Sequence, residues 1–217
     1  MINNKEQRLR ITEIFYSLQG ETSLMGLPTV FIRLTGCPLR CHYCDTAYAF
    51  SGGKPCLIDD IVKEVSQYHT KHITVTGGEP LAQPNCLVLL SRLCDLDYTV
   101  SLETSGALSV ARVDPRVIKI IDVKTPASGE VKKNDWSNFD HLNQHDEIKF
   151  VICDYDDYCW SKTILDDYNL RDKAVLFSPS CEQLPAQKLA DWILADQLPV
   201  RMQIQLHKYL WGNVKGK

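Results

Sequence analysis

The sequence predicts an α/β fold, a partial (incomplete) TIM-like β/α barrel that forms one domain over residues 1–217. Apolar, β-branched runs alternate about six or seven times with segments of helical periodicity, which is typical of βα units and a parallel sheet. No linker or low-complexity segment interrupts this alternation. A complete eightfold barrel typically needs about 250 residues, so this chain is short for a closed one.

The first elements lead into a loop rich in cysteine. Residues 11–15 predict a short strand, residues 17–22 a polar turn, and residues 29–34 the first buried strand. Arg33 lies near the carboxyl end of that buried strand. An arginine inside such an apolar run either pairs with an acidic side chain or binds an anionic ligand.

The remaining elements follow in alternation after a Gly-Gly break. Helices are predicted at residues 58–68, 87–96, 155–168 and 184–194. Strands are predicted at residues 72–76, 98–103, 117–123, 147–152, 174–177 and 201–206. Residues 127–145 are polar with little periodicity and predict a loop with one helical turn.

Unusual polar groups cluster where the predicted strands end. They are Arg33, residues 76–79, residues 103–105, residues 122–124, residues 178–180 and residues 205–208. In parallel α/β folds, ligands bind at the carboxyl ends of strands because the strand-to-helix loops gather there. The sequence therefore predicts an active site on this face, with the cysteine loop beside it.

Composition excludes several classes of protein. Hydrophobic residues make up 44% of the chain and the net charge is −3, as in an ordinary water-soluble protein. No apolar run approaches the roughly 18 residues of a membrane span, and no basic block indicates binding to nucleic acid. The chain opens without an apolar signal segment and carries nine cysteines. We therefore expect reduced thiols and a cytoplasmic protein.

Three of these cysteines, Cys37, Cys41 and Cys44, stand within eight residues. Thiolates this close can form disulfides, bind zinc or bind an iron–sulfur cluster. A reducing compartment disfavours disulfides, and structural zinc usually takes four protein ligands in two separated pairs. Three cysteines without a second pair fit better a four-iron cluster with one iron free to bind a small molecule. A zinc knuckle and a redox-labile loop stay open on spacing alone.

This cysteine spacing, with Tyr43 before the last cysteine, resembles the signature of the radical S-adenosylmethionine (SAM) enzymes. Residues 77–80, Gly-Gly-Glu-Pro, follow a predicted strand and resemble the glycine motif of the same superfamily. On its own that tetrapeptide also fits a plain turn. The two motifs occur in the right order on consecutive βα units, and together they imply the radical SAM type of partial barrel.

Further segments resemble one family within that superfamily, the 7-carboxy-7-deazaguanine synthases. They are residues 18–21, 31–37, 44–46, 76–80, 102–106 and 207–210. The resemblance implies radical ring contraction of 6-carboxy-5,6,7,8-tetrahydropterin to 7-carboxy-7-deazaguanine with loss of ammonia, on the route to queuosine in tRNA. It also implies a [4Fe-4S] cluster, SAM, Mg²⁺, a flavodoxin- or ferredoxin-type electron donor and a homodimer, with no direct nucleic-acid partner.

The resemblance assigns roles to residues of this chain. The metal ligands would be Cys37, Cys41 and Cys44 for the cluster and Thr46 for Mg²⁺. Without the resemblance, Thr46 reads as a cap or turn residue. The substrate would contact Leu18, Gln19, Gly20, Arg33 and Thr76. SAM would contact Gly78, Asp122, Val123, Lys124, Phe177, Ser178, Pro179 and Ser180, with Glu103 and Ser105 as further candidates.

The chain departs from the family pattern in two places. No proline follows Pro199, although some members end in a proline that contacts substrate, and Ser178–Pro179 replaces a glutamine–proline pair. His207 and Lys208 lie on the predicted face without an assigned role. Two alternatives stay open: a glycyl-radical-enzyme activating protein, and a non-enzymatic zinc or Fe–S binding module.

Overall fold

The computed structural model describes residues 7–181 and 183–216, and its centre is a nine-stranded sheet. The strands are β1 (Arg8–Leu18), β2 (Pro28–Leu34), β3 (Lys54–Leu57), β4 (His72–Gly77), β5 (Thr99–Thr104), β6 (Ile118–Val123), β7 (Glu147–Ile152), β8 (Ala174–Pro179) and β9 (Arg201–Met202). Their spatial order is β3-β1-β2-β4-β5-β6-β7-β8-β9.

Five α-helices accompany these strands in the described residues. They are α1 (Ile58–Val65), α2 (Cys86–Asp95), α3 (Tyr155–Asp167), α4 (Ala186–Ala195) and α5 (Leu206–Trp211). Short 3₁₀ segments occupy Pro126–Ser128, Val131–Lys133 and Trp136–His141, where a single helical turn was predicted. Among the helices described, none combines the length and apolar character needed to cross a membrane.

The sheet is parallel from β2 onward and stays open. β2 pairs with β4 in parallel, and each later strand pairs in parallel with the next. β1 pairs antiparallel with both β2 and β3 at one edge of the sheet. Because β3 and β9 are the two ends of the strand order, the barrel does not close. The prediction of an α/β partial barrel is confirmed.

The alternation of side chains along each strand separates the apolar core from the site. In β6, Ile121 and Val123 belong to the core, whereas Ile120 and Asp122 border a cavity on the other face. In β7, Lys149 likewise borders the cavity. Successive side chains of a strand point to opposite faces, so every second residue of a strand is available to the site.

Two predictions about elements were wrong. β3 was not predicted, and its pairing with β1 extends that antiparallel edge. The strand predicted at residues 201–206 ends at Met202, and α5 begins at Leu206. At Gln203 the pairing ends: its backbone N–H makes a ladder hydrogen bond to the carbonyl of Phe177 (2.9 Å), but its side chain donates to the carbonyl of Thr22 (2.5 Å). The chain then leaves the sheet toward the cavity.

Candidate active site

A cavity of about 370 Å³ opens at the carboxyl ends of the parallel strands. It gathers most of the side chains selected from the sequence, because those residues end or follow different strands. The selected residues that border it are Leu18, Gln19, Gly20, Arg33, Cys37, Cys41, Cys44, Thr46, Thr76, Gly78, Glu103, Ser105, Asp122, Lys124 and Ser180.

Four selected residues do not border the cavity: Val123, Phe177, Ser178 and Pro179. Val123 and Phe177 are buried in the apolar core on the opposite face of the sheet. Strand alternation gives the reason, since the neighbours of an inward-pointing residue point outward. A SAM contact by these two side chains has no support in the geometry.

The three cysteines of the loop border the same cavity and form no disulfide. Burial raises the pKa of all three thiols, that of Cys41 to about 11. In the part of the chain described, no three His, Cys, Asp or Glu side chains are grouped to bind a single metal ion. In a four-iron cluster each thiolate binds a different iron, so three cysteines that border one cavity fit such a cluster.

The glycine motif packs directly against the start of the cysteine loop. The backbone N–H of Gly78 donates to the carbonyl of Leu34 (3.1 Å), and that of Glu79 donates to the carbonyl of Gly36 (2.7 Å). A Cβ atom on Gly78 would lie 2.9 Å from the Cβ of Cys37. The two motifs are therefore one structural unit at the ends of β2 and β4.

Glu79 fixes the next loop to this unit. Its fully buried carboxylate accepts hydrogen bonds from the hydroxyl of Thr104 (2.9 Å) and from the backbone N–H (2.7 Å) and hydroxyl (2.5 Å) of Ser105. It also accepts from the backbone N–H of Leu81 (2.9 Å). The hydroxyl of Ser105 is thus engaged by a protein group, which weakens the prediction that it contacts SAM.

Arg33 pairs with an acidic side chain, Glu13, which is one of the two roles that the sequence allowed for it. Its Nε donates to Glu13 Oε1 (2.7 Å), which also accepts from the hydroxyl of Tyr48 (2.7 Å). The guanidinium carbon lies 5.6 Å from the ring centre of Phe15. Burial raises the pKa of Tyr48 to about 12, so its phenol stays a donor. The geometry orients Arg33 while it borders the cavity, so its terminal nitrogens remain available for an anion.

Gln19, Thr76 and Glu103 form a polar group on one wall. Glu103 accepts hydrogen bonds from Gln19 Nε2 (3.3 Å) and from the hydroxyl of Thr76 (3.0 Å). Gln19 Nε2 also lies 3.1 Å from the hydroxyl oxygen of Thr74. Burial raises the pKa of Glu103 above its ordinary value. A carboxyl group placed in this way can accept hydrogen bonds from a polar ligand.

A chain of buried charges crosses the floor of the cavity. Lys149 Nζ lies 2.6 Å from Glu21 Oε2 and 3.7 Å from Asp122 Oδ2, and Lys124 Nζ lies 2.9 Å from the same Asp122 oxygen. Burial acts to lower the pKa of Lys149, but the facing carboxylates hold it well above its ordinary value. Burial acts to raise the pKa of Glu21, but Lys149 holds it below. Asp122 Oδ1 is buried without a hydrogen-bond partner.

Thr46 follows the cysteine loop at the rim of the cavity. Its hydroxyl donates to Asp45 Oδ1 (2.8 Å) and makes no capping bond to the 3₁₀ turn that follows. Asp45 Oδ2 in turn lies 2.9 Å from Lys208 Nζ and 3.2 Å from Gln205 Nε2. Thr46 thus stands in a turn at the N-cap position, as the bare sequence allowed, but its side chain does not cap the helical turn.

Sequence reasoning did not select several residues of the site. Glu13, Glu21 and Lys149 set the charges around the cavity. Glu21 lies in the motif segment 18–21 and Lys149 is a cation inside an apolar strand, whereas Glu13 carried no signal. Thr22 adopts a left-handed conformation (φ +69°) although it is β-branched and buried. Gln203 holds it, accepting from its N–H (2.8 Å) and donating to its carbonyl (2.5 Å).

Comparison with known proteins was made by sequence and by structure. Residues 31–122 match the family model of the radical SAM superfamily. The chain is 47% identical over 211 residues to a 7-carboxy-7-deazaguanine synthase of Chlorobaculum tepidum, covering 95% of this chain and 96% of that protein. It is 43% identical to a protein of the same name from Koribacter versatilis, covering 94% of this chain and 97% of that one.

Two solved structures resemble the fold. The crystal structure of QueE from Escherichia coli aligns with a TM-score of 0.79 at 22% identity, covering 93% of this chain and 96% of that one. The crystal structure of SuiB from Streptococcus suis bound to S-adenosylmethionine aligns with a TM-score of 0.52 at 12% identity, covering 78% of this chain and 45% of that one. At these identities the likeness is one of fold.

Proposed function

We propose roles for the residues of this cavity from the premise that the chain belongs to the 7-carboxy-7-deazaguanine synthase family of radical SAM enzymes. The family enzyme is a lyase that contracts the ring of 6-carboxy-5,6,7,8-tetrahydropterin to 7-carboxy-7-deazaguanine and releases ammonia. The observation that carries the assignment is 47% identity over nearly the whole chain. The convergence of the thiols, the glycine motif and Arg33 on one cavity supports it.

The residues present fit the iron–sulfur cluster and SAM that radical SAM membership implies. Cys37, Cys41 and Cys44 would hold the cluster. Gly78 lets the backbone approach the SAM site, and the unpartnered Oδ1 of Asp122 offers an acceptor for an amino group. When bound, the two cofactors supply the one-electron chemistry that removes a hydrogen atom from the substrate. The protein orients both and excludes water.

Further assignments concern SAM. Lys124 and Ser180 border the cavity and would complete the SAM site with Asp122. Residues 177–179 do not border the cavity, so of the segment 177–180 only Ser180 is proposed as a direct SAM contact. Ser105 is committed to Glu79 and would act by holding the loop in place.

The substrate would occupy the part of the cavity near Arg33 and Gln19. Arg33, oriented by Glu13, would bind the substrate carboxylate through its terminal nitrogens, since a planar fork suits a planar anion. Glu103 lies between Gln19 and Thr76, which supports placing it with the pterin. A carboxyl oxygen there would accept from the N–H groups on the pyrimidine edge of the pterin. Leu18 and Gly20 would line the site through their backbones.

Mg²⁺ would bind at Thr46. Mg²⁺ prefers oxygen ligands at short distance, keeps several waters and uses few protein ligands. The hydroxyl of Thr46 gives its hydrogen to Asp45 and therefore presents lone pairs elsewhere. When bound there, Mg²⁺ would fix the substrate carboxylate and hold ordered water. Through Mg²⁺, Thr46 would then determine the position of the substrate carboxylate relative to Arg33.

The electron donor, the assembly and the location are proposals supported by surface features. A flavodoxin- or ferredoxin-type donor would approach the outer side of the cysteine loop, where Pro38 and Arg40 are exposed and do not border the cavity. A homodimer is supported by exposed apolar side chains such as Tyr209 (79% exposed). A cytoplasmic location is supported by nine cysteines that are all free. The product would enter the queuosine pathway.

Product formation tests this function. Anaerobically reconstituted protein would be reduced and supplied with SAM, Mg²⁺ and the carboxypterin, and 7-carboxy-7-deazaguanine would be sought by mass spectrometry. Cys41→Ala should abolish product, whereas Cys159→Ala, a cysteine away from the cavity, should keep it. SAM cleavage without product from the pterin would contradict the substrate assignment and favour the alternative of a glycyl-radical-enzyme activating protein. A colourless, zinc-loaded protein that cleaves no SAM would contradict the radical chemistry as well.

A further inference from the structure

We propose that the C-terminal segment, residues 203–216, positions the Mg²⁺ ligand Thr46 through Asp45, with Lys208 and Gln205 as the positioning residues. The proposal rests on the assignment of Mg²⁺ to Thr46. It gives a role to Lys208, to which the sequence assigned none. The segment acts by fixing the rotamer and hydrogen-bond direction of a threonine more than 150 residues away in sequence.

The contact between Thr46 and Asp45 decides which way the threonine oxygen faces. A hydroxyl has one hydrogen to donate and two lone pairs to offer. At 2.8 Å the hydrogen of Thr46 is committed to Asp45 Oδ1. The lone pairs then face away from the carboxylate, as a metal ligand requires. If the hydroxyl of Thr46 rotated freely, its orientation would have to be fixed each time that Mg²⁺ binds, at a cost in entropy.

Asp45 is itself held from the C-terminal segment. Its Oδ2 lies 2.9 Å from Lys208 Nζ and 3.2 Å from Gln205 Nε2. The side chain of Asp45 is 43% exposed, so without these partners only the hydrogen bond from Thr46 would hold it. A loose carboxylate beside Thr46 would also compete for Mg²⁺, because that ion takes carboxylate oxygens readily. Lys208 and Gln205 therefore keep Asp45 in its role as acceptor.

The segment is docked on the substrate side of the cavity as well. The backbone N–H of Leu206 donates to the carbonyl of Gly20 (3.0 Å), and Gln205 Nε2 lies 3.0 Å from Glu21 Oε1. A Cβ atom on Gly20 would lie 2.5 Å from His207 Nδ1. Glycine at this position lets α5 sit against residues 18–21. One short segment thus contacts both the proposed pterin wall and the proposed metal ligand.

The test compares Lys208→Met with Lys208→Arg and with Lys188→Met, an exposed lysine on α4. Activity would be measured over a range of Mg²⁺ concentrations. In Lys208→Met we expect the half-saturating Mg²⁺ concentration to rise about tenfold, as for the loss of one charge-assisted hydrogen bond, while kcat at saturating Mg²⁺ stays near wild type. Lys208→Arg should restore most of the Mg²⁺ affinity, and Lys188→Met should leave it unchanged.

Hydrogen exchange on the protein without ligands gives a second readout. Amides of residues 44–49 should exchange faster in Lys208→Met and in Asp45→Asn than in wild type. An unchanged Mg²⁺ response together with unchanged exchange in Lys208→Met would overturn the proposal. So would an equal loss of kcat at every Mg²⁺ concentration, which would mean a merely structural role. If the rate of product formation by wild type does not depend on Mg²⁺, both the assignment of Mg²⁺ to Thr46 and this proposal are wrong. The assigned reaction is not affected by that result.

Discussion

Gly78 lies so close to Gly36 that a Cβ atom on Gly78 would fall 2.1 Å from the Gly36 carbonyl oxygen. This contact joins the glycine motif after β4 to the residue that precedes the first cysteine of the loop. Both partners in the contact are backbone, so neither can rotate away. The position of the cysteines therefore depends on the absence of a side chain at residue 78.

Gly78→Ala should separate the two loops. Overpacking against fixed backbone costs about 1–3 kcal/mol, and here the displacement falls on Cys37. We expect a lower urea midpoint and a lower iron content after anaerobic reconstitution, measured by unfolding and by iron analysis. Gly52→Ala is the control for backbone strain: a Cβ there meets no atom within 4 Å, but φ is +82°, so this variant should lower the urea midpoint while iron loading stays normal. Normal iron loading in Gly78→Ala would contradict the idea that this contact sets the loop.

Glu79→Gln should destabilise the protein, although the two side chains have nearly the same shape. The carboxylate accepts from Thr104, from the N–H and hydroxyl of Ser105, and from the N–H of Leu81. An amide places an NH₂ group against one of these donors and leaves buried groups unsatisfied, at a cost of about 1–3 kcal/mol. Urea unfolding measures it, with Glu64→Gln at an exposed position of α1 as the control. Equal midpoints for the two variants would show that Glu79 is held less tightly than its hydrogen bonds indicate.

Lys149→Met should be the most destabilising single change at the floor of the cavity. Lys149 faces Glu21 at 2.6 Å and Asp122 at 3.7 Å, and only a tenth of its side chain is exposed. Removing one partner of a buried ion pair leaves charge without compensation, typically at a cost of about 3–5 kcal/mol. The free energy of unfolding should fall by that amount, whereas Lys173→Met, on an exposed turn, should change it little. A loss below about 1 kcal/mol would mean that water already reaches this cluster.

Much of the fold could be predicted because hydrophobic periodicity is local. The strand at residues 147–152 has the bounds that were predicted, and α2 and α3 differ from their predictions by one residue at each end or less. β3 was missed because four residues, two of them exposed, carry no alternating pattern. The end of β9 was missed because Gln203 turns toward Thr22, a contact 181 residues apart.

The sequence predicted which motifs form the site, but it did not predict which side chains face the cavity or which partners they contact. Motifs mark where strands end, so Arg33, Thr76 and Asp122 were selected correctly as cavity residues. Val123 and Phe177 were selected only as members of adjacent motif segments, and the alternation of the strands turns their side chains into the core. Partner residues such as Glu13 could not be selected from the sequence. A glutamate in a weakly alternating strand looks solvent-exposed, and nothing local indicates that it pairs with Arg33.

Arg33→Lys tests whether the guanidinium fork binds substrate. A lysine can pair with Glu13 but then has no second pair of donors to offer to a carboxylate. Loss of one or two charge-assisted hydrogen bonds costs about 1.5–3 kcal/mol, which corresponds to a fall in kcat/KM of roughly 10- to 150-fold. Steady-state kinetics on the carboxypterin would measure it, and we expect the change mainly in KM.

Tyr48→Phe serves as the control for Arg33→Lys, because it removes a hydrogen bond to Glu13 and leaves the guanidinium in place. We expect a smaller loss of kcat/KM than in Arg33→Lys. If Arg33→Lys changed stability but left KM at its wild-type value, Arg33 would be a structural partner of Glu13 and the substrate carboxylate would bind elsewhere.

Glu103 gives the protein a specific dependence of stability on pH. Burial raises the pKa of Glu103 in the folded protein, so the folded state keeps this proton to higher pH than the unfolded chain does. The stabilising contribution of the group is complete below the unfolded pKa of about 4.3 and is lost as pH rises through the raised folded value. Glu103→Gln cannot ionise. Its stability relative to wild type should therefore increase with pH above about 4.3.

Urea unfolding of wild type and Glu103→Gln at several pH values measures this difference, because other titrating groups are common to both proteins. Asp196→Asn is a control of opposite sign. Lys162 lowers the pKa of Asp196, and that carboxylate stabilises the folded state at neutral pH and loses its contribution as pH falls. A difference curve for Glu103→Gln that is flat, or that slopes like that of Asp196→Asn, would mean that Glu103 is ionised in the folded protein and compensated by Lys149.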